Sequence, residues 1–513
     1  SSHVDSSLDS RARWTTHRLP PEAQSLPEGP MAATGGLSKM KMMTAFAVLI
    51  GVIAVVAAFI LEGSKPATPE RTYYNEQEAL AATSRMVTHV HPTGRGKHGS
   101  YSWSPAYTAP FNLSKESLAW SWSHPEGRYW TLTYGTVLDH ELNIYLSAAD
   151  AIRKFSPDGK ILWEHRTLPA GRSMDTYALW KGALYGSRTD GVVFGINIEN
   201  GNLLWTTKVC NAIPEDNGFA NVQDGIVVVC SDPLTTEFPS KVRGINATDG
   251  TPLWVFEPDK PVWNFMASFP GDGSVVFQDI EGKAYRLILA TGELIWKAGG
   301  NPGTWTDGTL TLGPDNVVYA VACRMWMSQG GHWAPGDLWA YRLTDGKLLW
   351  QTQTPRPPNV APAVGKLYQK DTFSVVQAIG QQVQQGAGTD VYAYDAETGA
   401  VQWKFAGPAQ QGPLQAGDLE GQPIRDAIVG RGLCLPNPWS APAIDAAGTV
   451  YVGNQDGLFF ALRDVNGDGT VEGPDEVSSF DTKAAFAGSA GPSLGPGMVV
   501  AASCDSLFVF REP

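Results

Sequence analysis

The residues of this chain best suited to chemistry are a run of oxygen donors. In DVNGDGTVEGPDE, Asp464, Asn466 and Asp468 stand at positions 1, 3 and 5, Gly469 at 6, Thr470 at 7, Glu472 at 9 and Asp475 at 12. Hard oxygens at alternate positions, a glycine at the sharp turn and a closing carboxylate are what a calcium loop of the EF-hand type requires. The spacing therefore predicts one structural Ca2+, with Asp464, Asn466, Asp468, Thr470, Glu472 and Asp475 as its metal set. Three departures keep a plain Asp-Gly hairpin tip as the competing reading: position 12 is Asp, Pro474 precedes it, and no helical pattern flanks the loop.

Other chemistry-bearing residues are more scattered. His89, His91 and His98 in THVHPTGRGKHGS have no cysteine or carboxylate framework beside them, and the segment reads as a solvated linker. Five cysteines contain no CxxC and no haem-attachment motif; Cys210 and Cys230 are either bridged in an oxidising compartment or buried as small apolar residues. No HExxH or phosphate-binding glycine loop is present. Asn112 and Asn246 lie in Asn-x-Ser/Thr sequons. A net charge of −13 with no basic stripe excludes a nucleic-acid partner.

What must position these residues is a repeated hairpin. Runs such as FGINIENGNLLW and YAYDAETGAVQW end at Trp163, Trp205, Trp254, Trp296, Trp350 and Trp403. A glycine stands four residues before each: Gly159, Gly201, Gly250, Gly292, Gly346 and Gly399. The tryptophans recur every 42 to 54 residues, the period of a four-stranded propeller blade. Glycine lets the turn reach positive φ, and the Trp is expected to fill the wedge between blades. Residues 440–482 repeat the pattern with Phe480 in place of Trp, and the C-terminal run supplies three strands of one more blade. Its fourth should come from residues 112–125, which carry Trp120, so that eight blades close without an open edge.

The Ala-x-Asp-x-x-Thr-Gly-x-x-x-Trp pattern, clearest in AYDAETGAVQW, resembles the PQQ-like repeat, and the resemblance covers residues 112–513. It implies an all-β, eight-bladed propeller. The family divides into quinoprotein alcohol or sugar dehydrogenases and the BamB scaffold of outer-membrane protein assembly, which carries no cofactor. The chain lacks the vicinal Cys-Cys pair typical of the dehydrogenases and the lipobox of the lipoprotein scaffold. Should it be a PQQ enzyme, an axial pocket of acidic, amide and basic residues is required, and the sequence does not assign it: naming Asp337, Asp390 or Arg425 would be a guess.

Ahead of the propeller, MMTAFAVLIGVIAVVAAFIL at 42–61 is long enough to cross a bilayer once. Residues 39–62 are expected as an uncleaved signal-anchor helix, with a cleaved signal as the alternative. Residues 1–38 are expected to be disordered and 63–111 a linker. Lys39 and Lys41 before the span put the N-terminus on the cytosolic side and the propeller on the exoplasmic, lumenal or periplasmic side.

Long inserts at 231–241, 324–337, 380–390 and 406–440 all fall on the face opposite the tight hairpins. Met325, Trp326, Met327, His332 and Trp333 in the second give it the composition of a partner-contact surface, or of a loop packed on itself. The chain therefore reads as a non-catalytic, membrane-anchored scaffold docking a protein through that face. A PQQ-dependent dehydrogenase is the alternative.

Overall fold

The structure, a computed structural model, describes residues 70–97, 101–173, 176–213, 219–231, 240–326, 333–380, 388–411, 418–430, 434, 438–486 and 491–512. The expected disordered segment and the apolar span at 42–61 lie outside these residues. Among the described residues no helix is long and apolar enough to cross a membrane.

Eight antiparallel sheets make the propeller. Blades 1 to 8 span 133–166, 178–208, 220–256, 274–299, 311–354, 363–406, 443–481 and 493–511. Leu118–Ser123 pairs with Ser506–Arg511 as the fourth strand of blade 8, tying the two ends of the ring together. Inner strands are covered on both faces by neighbouring blades, so Ile144–Ala148 and Ala151–Phe155 are buried throughout. Outer strands meet water on one side and alternate, as in Leu348–Thr354.

The repeat owes its Gly and Trp to a single joint. The indole N–H groups of Trp120, Trp163, Trp205, Trp254, Trp296 and Trp350 donate to backbone carbonyls in the hairpin of the following blade at 2.8–3.0 Å. That hairpin's glycine lies flat on the ring: a Cβ at Gly159, Gly201, Gly250, Gly292, Gly346 or Gly399 would come within 2.5–2.9 Å of it. All six glycines have φ between +70° and +86°. Conformation and contact thus both require a residue without Cβ.

Residues 70–111, expected as linker, are folded onto the propeller where described. Glu70–Tyr73 adds a fifth strand to the outer edge of blade 2. Helix α1, Glu76–Ser84, is capped by the Asn75 side chain and buries Ala79 and Ala82 against the same blade. Residues 89–97 and 101–108 then make contacts with seven blades. His91 pairs with Leu138 of blade 1, and the Pro92 carbonyl accepts from Leu179 of blade 2. Arg95 Nη2 reaches Ser268 beside blade 4 and the Leu310 carbonyl before blade 5, at 3.4 and 2.7 Å. Tyr101, Ser102 and Thr108 bond to blades 6, 7 and 8 through Val364, Ile444 and Gly497. The described residues of this segment thus bond to seven of the eight blades. The segment shows no periodic pattern because each bond goes to a different strand, so neither helical nor strand alternation is imposed on it.

Candidate functional site

The 464–476 loop replaces the glycine hairpin of blade 7. The strand Leu458–Leu462 leads into it and Val477–Asp481 leaves it. Asp464 Oδ1 accepts from the Gly467 amide at 2.8 Å, and Asp468 Oδ1 from the Thr470 amide at 2.8 Å. Asn466 and Asp468 bond each other through Nδ2 and Oδ2 at 3.0 Å. The carboxylate that closes the loop is Glu476, where Asp475 was expected. Glu476 Oε1 accepts from the Val465 and Asn466 amides at 2.9 and 3.1 Å, and Oε2 from the Glu472 amide at 3.0 Å. Residues 473–476 form a turn in which the Glu476 and Val477 amides donate to the Gly473 carbonyl at 3.3 and 2.9 Å; Glu476 faces inward, 4% exposed, while Asp475 and Glu472 are exposed. Asp464 is 6% exposed, and its Oδ2 is buried without a hydrogen-bond partner.

This loop also holds the preceding blade. The Lys404 amide donates to the Gly469 carbonyl at 3.0 Å, and the Val471 amide to the Lys404 carbonyl at 2.9 Å, making a parallel bridge between Lys404 and Thr470. Val471 packs into the core with Trp403 and Phe405. No three Asp, Glu, His or Cys side chains converge as a metal cage among the described residues. His89 Nε2 meets the Lys181 carbonyl at 2.7 Å, while His91 Nδ1 accepts from the Leu494 amide at 3.2 Å. These two histidines serve different blades, and His98 lies outside the described residues. Burial drives both neutral, to about 4 for His89 and about 3 for His91.

On the opposite face, strand order places the inserts 231–241, 324–337 and 380–390 between second and third strands, and 406–440 between blades 6 and 7. Trp326 packs with Trp263 and Trp305, ring centroids 6.2–6.4 Å apart, and the Trp305 indole donates to the Met325 carbonyl at 3.0 Å. Trp333 lies under the Arg356 guanidinium at 4.7 Å. The aromatics are thus largely satisfied within the insert's own surroundings, and Met325, 41% exposed, is the side chain most open to a partner. Met327 and His332 lie outside the described residues. Trp263 and Trp305 were the missed members of this cluster; they stand outside the hairpin repeat, which was the available signal.

Described residues of the 406–440 insert bond to blade 7 and to the connection between blades 1 and 2. The Gln411 amide bonds Asp456 of blade 7, and Arg172, between blades 1 and 2, donates to the Val429 carbonyl at 3.0 Å. Helix α2, Asp418–Val429, lies between these points. A disulfide joins Cys434 to Cys504 of blade 8, with 5.8 Å between Cα atoms, and packs with Leu132, Ala149, Val429 and Ala485. This is the bridge in the described structure, in place of one between Cys210 and Cys230. The Cys210 thiol donates to the Ala212 carbonyl, and Cys230 is buried in the core of blades 3 and 4.

The three residues raised for an enzyme have separate structural partners. Asp337 is bound by Arg324 at 2.7 Å, Gln351 and Asn301; burial raises its pKa, but these bonds outweigh it and hold the carboxyl below its usual range. Asp390 pairs with Lys404 at 2.9 Å on its own blade. Arg425 is fully buried in α2, beside Gly421 and the Tyr129 ring.

A family profile described as outer membrane protein assembly factor BamB matches residues 238–490. BamB from Moraxella catarrhalis superposes with a TM-score of 0.52 at 14% identity, covering 78% of this chain and 97% of that one. The quinohemoprotein alcohol dehydrogenase of Pseudomonas putida HK5 gives 0.56 at 12% identity, covering 86% and 82%. That of Comamonas testosteroni gives 0.55 at 13%, covering 85% and 82%. No curated protein sequence matches the chain. Together the profile and these structures support a PQQ-like repeat β-propeller fold for the chain.

Proposed function

We propose that this propeller is a docking scaffold, anchored in a membrane by residues 42–61 and presenting its insert-bearing face to a partner protein on the exoplasmic, lumenal or periplasmic side. The supporting observation is that the chain's own residues lie around the axis: within 89–97 and 101–108 bonds reach seven blades, with Arg95 1% exposed, and Gln411 and Val429 of the 406–440 insert bond Asp456 of blade 7 and Arg172. A quinone enzyme of this fold needs room on that axis for cofactor, metal and substrate. A scaffold needs a rigid ring and an irregular face, and recognition commonly sits on such loops. The similarity to BamB adds a precedent for protein assembly on this fold, and fold alone does not choose.

The test uses the full-length chain in detergent. It is mixed with the quinone and Ca2+, passed through gel filtration, and assayed for dye reduction with alcohols and sugars; a retained stoichiometric chromophore with turnover overturns the scaffold reading. A photo-crosslinker at Met325 is expected to capture one partner that a crosslinker at Leu253, on the outer strand of blade 3, does not. Equal capture from both positions overturns the chosen face.

A further inference from the structure

We propose that the 464–476 loop binds one Ca2+ through Asp464, Asn466, Asp468, the Thr470 carbonyl and Glu476, and that the ion clamps blade 7 to blade 6. Asp464 and Glu476 are both more than nine-tenths buried within one loop. The amides of Val465, Asn466 and Glu472 satisfy Glu476, but Asp464 Oδ2 is buried with no donor. Among the described residues neither carboxylate has a Lys, Arg or His partner in an ion pair. A buried carboxylate without a counter-charge is strongly unfavourable, so the charge that balances this loop comes from solution. The donors are all oxygens, without His or Cys, which selects a hard cation. Their flexible loop suits Ca2+ better than the tight octahedron of Mg2+.

Asp464, Asp468 and Glu476 do not converge as they stand, so binding requires a rearrangement. The side chains of Asn466 and Asp468 exchange their bond to each other, and the bonds that their Oδ1 atoms accept from the Asp468 and Thr470 amides, for the ion, while Asp464 and Glu476 already face the interior. The ion then fixes Thr470, whose neighbours Gly469 and Val471 make the two backbone bonds to Lys404. Coordination and blade docking share this one stretch of backbone. The clamp stands whether or not the opposite face docks a partner.

Calorimetric titration of chelator-stripped full-length protein with CaCl2 and MgCl2 is expected to show one site that prefers Ca2+. Asp464→Asn and Glu476→Gln should each weaken it on the order of 100-fold, and Asp475→Asn by less than about threefold, following the dependence on ligand charge. Circular dichroism verifies folding, and Asp468→Asn serves if either buried variant fails to fold. Hydrogen exchange at the Lys404 and Val471 amides should slow about tenfold or more with Ca2+, because locally open states become rarer, while exchange at Gly250 stays unchanged. No stoichiometric uptake by folded protein, or a loss on Asp475→Asn that Glu476→Gln does not cause, overturns the site. Ca2+ binding that leaves exchange at Lys404 and Val471 unaltered overturns the clamp.

Discussion

Six of the eight joints between blades are built alike; between blades 7 and 8 Phe480 replaces the Trp and packs on Phe510, and the joint between blades 6 and 7 departs further. In the six, a Trp ring lies on a glycine and its indole N–H is spent on the same hairpin, so the contact is complete within the protein. Between blades 6 and 7, Trp403 meets a longer loop whose backbone pairs with Lys404 and whose interior holds two carboxylates. The first design needs two residues at fixed positions and repeats readily. The second adds buried carboxylates that backbone amides of the same loop bond, so it needs a longer sequence and does not repeat. Geometric redundancy thus holds most of the ring, while one sector is open to adjustment.

Removing a ring should break the first kind of joint most severely. Trp205 is fully buried and bonded to the Ala247 carbonyl at 2.9 Å. Trp205→Ala is expected to cost about 4 kcal/mol through the cavity and the lost burial, read as a shift in the denaturation midpoint. If the loss stays below about 1 kcal/mol, the joint is not what holds blades 2 and 3 together.

The glycines sharpen the contrast. Gly250 has φ +74°, and its Cβ would lie 2.5 Å from the Trp205 ring; Gly469 has φ +84°, and its nearest neighbour would be the Gln402 carbonyl at 3.2 Å. Gly250→Ala should therefore cost about 3 kcal/mol, from left-handed strain and overpacking together, and Gly469→Ala about 1 kcal/mol, from strain alone. Equal losses in parallel urea titrations would erase the distinction.

The axial segment is a third kind of contact and responds to pH. His91 has a folded pKa depressed by burial to about 3, so between about pH 6.5 and 3 the unfolded chain takes up a proton that the folded one does not. Its contribution is present above pH 6.5 and is lost as pH falls, about 2 kcal/mol by pH 5. Melting curves of the parent and His91→Gln should converge as the buffer is acidified; parallel curves would place the acid sensitivity elsewhere.

The smallest effect belongs to the outer rim. The Arg71–Asp249 pair joins the added fifth strand to the hairpin of blade 3 at 3.2 Å, with both side chains about a third exposed or more. Arg71→Ala should cost less than about 1 kcal/mol and less again in high salt.

The sequence by itself determined the repeat, because a glycine at positive φ and a Trp at fixed spacing are local demands that every copy must satisfy. Eight blades, the Phe480 substitution and the oxygen-rich turn followed from that regularity. Tertiary structure alone decided which carboxylate turns inward: Asp475 and Glu476 are adjacent and alike, and the turn at 473–476, closed on the Gly473 carbonyl, chooses between them. It likewise decided the place of residues 89–108, whose bonds are scattered over seven blades, and the pairing of Cys434 with a cysteine 70 residues away. Local backbone preference writes itself into spacing, whereas contacts between distant segments depend on how the ring closes and leave no period to read.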